Sequence, residues 1–129
     1  MNHESGKIKS FTDLDAWREG HKLVLSIYNL TKDFPKEEAF GLVSQMRRCA
    51  VSITSNLAEG FSRQSYKEKT QFYSIAQGSV TELQNQLLIS RDVGYIAKDA
   101  FRQLATQAIT VHKIINGLLK SSKSLVHNS

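Results

Sequence analysis

The residue types best suited to chemistry gather in residues 34–60. There a helical period puts Leu42, Met46, Cys49 and Ile53 on one face and then sets Asn56 on that same face. An amide stands where a core residue is expected. Burying it unpaired would cost ~1–3 kcal/mol, so Asn56, flanked by Arg48 and Glu59, predicts a defined polar cluster. Such a cluster suits two roles: a semi-buried network that fixes helix register, or a ligand or catalytic cleft. Acid–base work would want a histidine beside the paired charges, and residues 36–94 contain none.

The remaining chemical candidates read the same way. A di-metal bundle site needs a glutamate followed three residues later by histidine, and no glutamate here has that partner. HExxH, paired cysteines and a glycine-rich phosphate loop are absent from the sequence. His21 and His112 lie on or beside apolar seams and read as core-edge histidines rather than ligands, since neither has a second donor at helical spacing. Cys49 reads as a small inner-face hydrophobe, the other reading being a thiol activated by Arg48. No catalytic residue, metal, cofactor or small-molecule substrate is therefore expected.

These residues have to be positioned by helices. Of the 129 residues 40% are apolar and 22% charged, an ordinary globular balance long enough for one continuous core. No run alternates with period two long enough to suggest a strand, whereas apolar residues recur at helical spacing almost throughout. A first helix begins at Thr12 or Asp13 and repeats Leu14, Trp17, His21, Val24, Tyr28 and Thr31. Pro35 ends it, and Glu37 and Glu38 favour the start of the next. The second helix reaches Gly60 or Arg63, where glycine can supply a left-handed stop. Ser65 caps the third, with Glu68 in capping-box position, and Gly94 stops it. The fourth begins by Lys98 and repeats Phe101, Leu104, Ala108, Val111, Ile115 and Leu118.

Four such helices with short connections predict an all-α fold, an antiparallel up-down-up-down four-helix bundle over residues 11–120. Residues 1–10 and 121–129 are expected to be flexible tails. A hairpin turning near Ser65 places Arg48 opposite Glu82, Ser52 opposite Gly78 and Asn56 near Ser74. The row Arg48, Ser52, Ser55 and Glu59 then meets the row Ser79, Glu82 and Gln86, with Arg48 pairing to Glu82 and Glu59 accepting from Asn56 or nearby backbone.

Net charge is +5, unevenly spread. From residue 96 onward Lys98, Arg102, Lys113, Lys120 and Lys123 face only Asp99, and a second basic group comprises Arg47, Arg48, Arg63, Lys67 and Lys69. Such patches concentrate phosphate-bearing partners. A single cysteine rules out an internal disulfide. With no leader and no long apolar run, the sequence reads as cytoplasmic, without membrane contact.

Four motifs in order carry a family likeness: FxDLxAW at residues 11–17, FPxEExFGLxxQxRR at 34–48, VSITSNLAEG at 51–60 and IAQGSVTEL at 75–83. Over residues 11–119 the chain resembles the four-helix-bundle proteins encoded in intervening sequences of bacterial 23S rRNA genes. That family is in turn similar to the accessory bundle protein of diversity-generating retroelements. The resemblance implies a homopentameric barrel that binds structured RNA or DNA through basic surfaces, without catalysis. In this chain Arg47, Arg63, Lys67, Lys69, Lys113 and Lys120 would serve it. The motif residues Gln45, Arg48, Ser52, Asn56, Glu59, Gly78, Ser79 and Glu82 look architectural. A scaffold that binds other proteins through exposed Leu25, Ile27, Leu30 and Ile89 is the alternative.

Overall fold

The computed structural model describes residues 7–128 and is helical throughout, with no strand among the described residues. Four long helices, α1 (Asp15–Thr31), α2 (Leu42–Ser62), α3 (Tyr66–Asp92) and α4 (Lys98–Ser124), form a four-helix bundle. Each helix packs against the next and α1 packs against α4, while the diagonal pairs stay apart. The α2–α3 seam is the most extensive and the α1–α4 seam the least.

The inner face of α1 differs from the sequence expectation by about one residue. Ala16, Gly20, Leu23, Val24, Ile27 and Thr31 are buried, whereas His21 and Tyr28 are exposed and Trp17 is half-buried. One small residue explains this rotation. Gly20 sits where an added Cβ would lie 3.1 Å from the Thr54 methyl, so α1 approaches α2 along its small residues. Trp17, half-buried against the core edge, also packs on Phe11 and stacks on His21. The start also differs: Ser10, not Thr12 or Asp13, caps the chain, through a capping box with Asp13 around a single turn at Phe11–Asp13.

The two glycines of the second and third segments both depart from expectation. Gly60 is a helical residue within α2, not its stop, and an added Cβ would lie 2.6 Å from Tyr73 Cε1. Gly78, expected at the close approach, is exposed, with nothing within 4 Å of its Cβ position. Gly94 does end α3 in the left-handed region, at φ 87°. Ser65 Oγ accepts the Glu68 amide at 3.1 Å, as the sequence reading expects.

α4 continues to Ser124, four residues beyond the expected boundary at Lys120, and Ser122 on this extension is buried. Extending an existing helix adds a hydrogen bond for each residue ordered, so a polar SSKS run can follow a long helix without apolar packing of its own. Of the expected N-terminal tail, residues 1–6 lie outside the described residues. Lys9 and Ser10 donate their amides to the Asp13 carboxylate.

The core runs the length of the bundle, with Leu23, Ile27, Met46, Ile53, Leu57, Leu83, Leu87 and Ile115 fully enclosed. Between Thr70 and Ser90 α3 carries a single charge, Glu82, and its outer positions include exposed Ile75, Gly78, Leu88 and Ile89. Its apolar residues are not confined to the core side.

Candidate functional site

The α2–α3 seam holds the polar residues singled out by the sequence, one residue out of the expected register. Ser52 Oγ lies 2.9 Å from Ser79 Oγ rather than facing Gly78. Ser79 spends its proton on the Ile75 carbonyl at 3.0 Å, so Ser52 must be the donor between the two hydroxyls. Asn56, half-buried at the seam edge, donates to the Ser52 carbonyl at 2.8 Å and to Ser52 Oγ at 3.1 Å. The amide expected in the core thus opens a relay, from Asn56 to Ser52 to Ser79 to backbone, with each donor satisfied.

The charges around this relay do not pair as the sequence suggests. Arg48 and Glu82 both act electrostatically on the Cys49 thiol but are exposed, with no ion pair within 4.0 Å between them. An exposed pair gains only ~0–1 kcal/mol against the entropy of holding two long side chains, so nothing forces them together. Glu82 instead accepts from Gln86 Nε2 at 3.3 Å. Glu59 pairs with Arg63 at 2.9 Å, one turn along α2, rather than accepting from Asn56.

Cys49 is buried and its thiol donates to the Ser79 carbonyl at 3.0 Å. Burial first, and then the negative Glu82, push its pKa up to about 12, against the opposing pull of Arg48. A thiol held protonated is a packing group and not a nucleophile.

Of the six expected phosphate contacts, the structure ties three to the subunit itself. Arg47 donates to Thr31 Oγ1 at 2.9 Å and to the Tyr28 carbonyl at 3.2 Å, with its guanidinium 4.6 Å from the Tyr28 ring centre. It closes the carbonyl end of α1. Lys69 does the same for α2, donating to the Phe61 carbonyl at 2.7 Å, and burial lowers its pKa. Arg63 lies over Phe72 at 4.6 Å while paired with Glu59. Lys67, Lys113 and Lys120 are exposed.

On α4, Arg102, Lys113 and Lys120 point within roughly 20° of one another and span roughly 27 Å at 1.5 Å per residue. They form one exposed cationic row in which Asp99, 3.6 Å from Arg102, is the acidic neighbour. Along the α1–α4 seam beside it, Trp17, stacked on His21 at 4.7 Å, borders an open cleft of about 710 Å³ that carries both signs of charge, Arg18 and Lys22 with Asp15 and Glu19. Among the described residues no cluster of three metal-ligating side chains occurs, and no helix is long and apolar enough to cross a membrane.

Residues 12–117 match the model of the 23S rRNA-intervening sequence protein family. The chain belongs to that family. The bundle is also similar to a crystal structure of a protein of unknown function from the S23 ribosomal protein family of Bacteroides thetaiotaomicron. The TM-score is 0.76 at 21% identity, covering 81% of this chain and 95% of that one. At that identity the likeness concerns the fold. No curated protein matches significantly. For this family member the matched span includes the α2–α3 relay and most of the α4 row.

Sequence reasoning missed three features: the capping roles of Arg47 and Lys69, the burial of Tyr73, and the exposure of Phe40. Basic residues capping a helix end often sit in its last turn, but Arg47 reaches α1 from 16 positions away, so no local signal marked it. Tyr73 is buried against Gly60. A glycine 13 positions earlier was the available clue. Of the scaffold positions, Ile27 is fully buried and Leu30 packs against the core, while Leu25 and Ile89 are exposed.

Proposed function

We propose that this protein is a non-enzymatic, self-associating helical bundle. In this reading it binds structured RNA or DNA in the cytoplasm through basic surfaces, without strong sequence readout. The observation that carries it is the exposed row of Arg102, Lys113 and Lys120 on α4, to which Lys67 on α3 adds a further exposed cation. Evenly presented cations on a rigid helix neutralise backbone phosphates but do not read base edges. Copies of the row repeated around an assembly, five in the homopentamer implied by family resemblance, would multiply a weak contact into a useful one. The groups present support the non-enzymatic part of this reading. The one thiol is buried and held protonated, the exposed His21 stacks on Trp17, and no cluster of three metal-ligating side chains occurs among the described residues.

A mobility-shift titration of a structured RNA tests the binding. Wild-type protein is expected to retard the RNA at low salt, with log affinity falling by ~0.9 per log salt for each duplex phosphate engaged. The K113A/K120A double variant should bind more weakly with a shallower salt slope. Absence of retention at low salt, or retention unaffected by salt, would defeat the proposal.

The outer face of α3, with Ile75, Gly78 and Ile89 exposed around the single charge of Glu82, favours a second reading as a protein-binding scaffold. Partners that survive nuclease treatment in a pull-down would favour that alternative.

A further inference from the structure

Phe40 is the most exposed large apolar side chain among the described residues, at 101% of its reference area. It stands in the α1–α2 corner, and the corner is not loose. Glu38 Oε1 accepts the Leu42 amide at 3.2 Å while Glu38 Oε2 accepts the Tyr95 hydroxyl at 2.8 Å. Phe34 packs on the Tyr95 ring at 5.3 Å from the other side. A phenyl ring left in water forgoes about 1.5–3 kcal/mol of burial, so a braced corner that presents one fits a contact outside the subunit.

The same chain carries a hollow for it. An apolar groove of about 300 Å³ opens between α3 and α4, walled by Leu87, Leu88, Phe101, Ala105 and Ile109, with Gln84 at its edge. Cavities of about 150 Å³ suffice for a benzene ring. Leu88 and Ile109 are exposed there. Groove and ring lie toward the same end of the bundle, because Tyr95, in the connection between α3 and α4, is bonded to the corner that holds Phe40. A ring and a groove at the same end of the bundle are placed to meet between neighbouring copies that stand side by side in parallel. Glu37 beside the ring and Lys98 beside the groove have opposite charge, and neither has an ion partner among the described residues.

We infer that Phe40 of one copy inserts into the α3–α4 groove of a second copy, a head-to-tail contact that uses different surfaces on its two sides. Such contacts close into rings or extend as filaments, whereas a two-fold dimer would use one surface twice. The inference rests on the self-association proposed above and names the surfaces that make it.

Light scattering across a dilution series, together with photo-crosslinking from a benzophenone amino acid at position 40, tests the contact. The wild type is expected to assemble, Phe40→Asp to weaken assembly by about 30-fold or more, and Leu88→Asp to weaken it comparably. Circular dichroism of each variant should remain helical, since position 40 buries nothing within the subunit. The crosslink should map to residues 84–109 of another chain. A wild type that stays monomeric overturns both self-association and the contact. A wild type that assembles, with Phe40→Asp assembling equally well or the crosslink mapping elsewhere, overturns the contact alone.

Discussion

The Tyr95 hydroxyl donates to Glu38 Oε2 at 2.8 Å across 57 residues of sequence, joining the α1–α2 corner to the turn between α3 and α4. Both connections at this end of the bundle are thereby braced by one carboxylate, whose other oxygen caps α2.

Tyr95→Phe should therefore loosen more than its own position. Hydrogen exchange at the Leu42 amide is expected to quicken, and the urea midpoint to fall modestly, while the Phe34 ring contact keeps the turn in place. Unchanged exchange at Leu42 would show that water replaces the hydroxyl without consequence.

Gly60 and Gly78 give opposite outcomes for one substitution. Gly60→Ala would drive a methyl into Tyr73, whose ring has no free volume beside it, and should cost ~1–3 kcal/mol in urea unfolding. Gly78→Ala meets nothing and removes a flexible residue from a helix interior, so it should stabilise by ~0.5–1 kcal/mol. Similar effects at the two sites would contradict the packing described.

Ser79→Ala takes the acceptor away from the Ser52 hydroxyl and should cost ~1 kcal/mol. Removing Ser52 as well should cost little more, because the orphaned donor goes with it. A double-mutant cycle on these positions reads the coupling directly, and a coupling near zero would mean that the hydroxyls do not interact in solution.

Alkaline pH should weaken the fold through its buried acids. Cys49 is raised from 9.0 to about 12 and Tyr73 from 10.0 to about 12, each chiefly by burial. A folded pKa above the unfolded one means that the unfolded chain loses the proton first. The stability these groups contribute is complete below pH 9 and drains away between about 9 and 12. Urea midpoints measured from pH 8 to 11 should fall, with a shallower slope in Cys49→Ala. Ellman's reagent at pH 8 should label the thiol only once denaturant is added. Rapid labelling of native protein would place Cys49 at the surface.

Helix number, order and approximate ends were legible because each rests on local signals, such as Ser65 followed by Glu68, the break at Pro35 and the left-handed Gly94. The fourth inner face was readable from its apolar period, whereas the third was not, because α3 also carries exposed Ile75, Leu88 and Ile89 on its outer side. Less legible was whatever depended on how closely two helices approach. Gly20 draws α1 in by its small face and leaves His21 and Tyr28 exposed, which no spacing within α1 announces. The polar seam between α2 and α3 was recognisable as a seam, yet its donor order required the actual register. Which cations are tied to the subunit was not legible, because a lysine bound to a carbonyl and a lysine in water look alike in sequence.

Arg47 and Lys69 each hold the carbonyl end of a helix through short hydrogen bonds to neutral oxygens. Dissolved ions screen such bonds far less than they screen an open cationic surface. A wash strong enough to strip a polyanion from α4 should leave the helices assembled, so the protein should emerge from such purification both folded and clean.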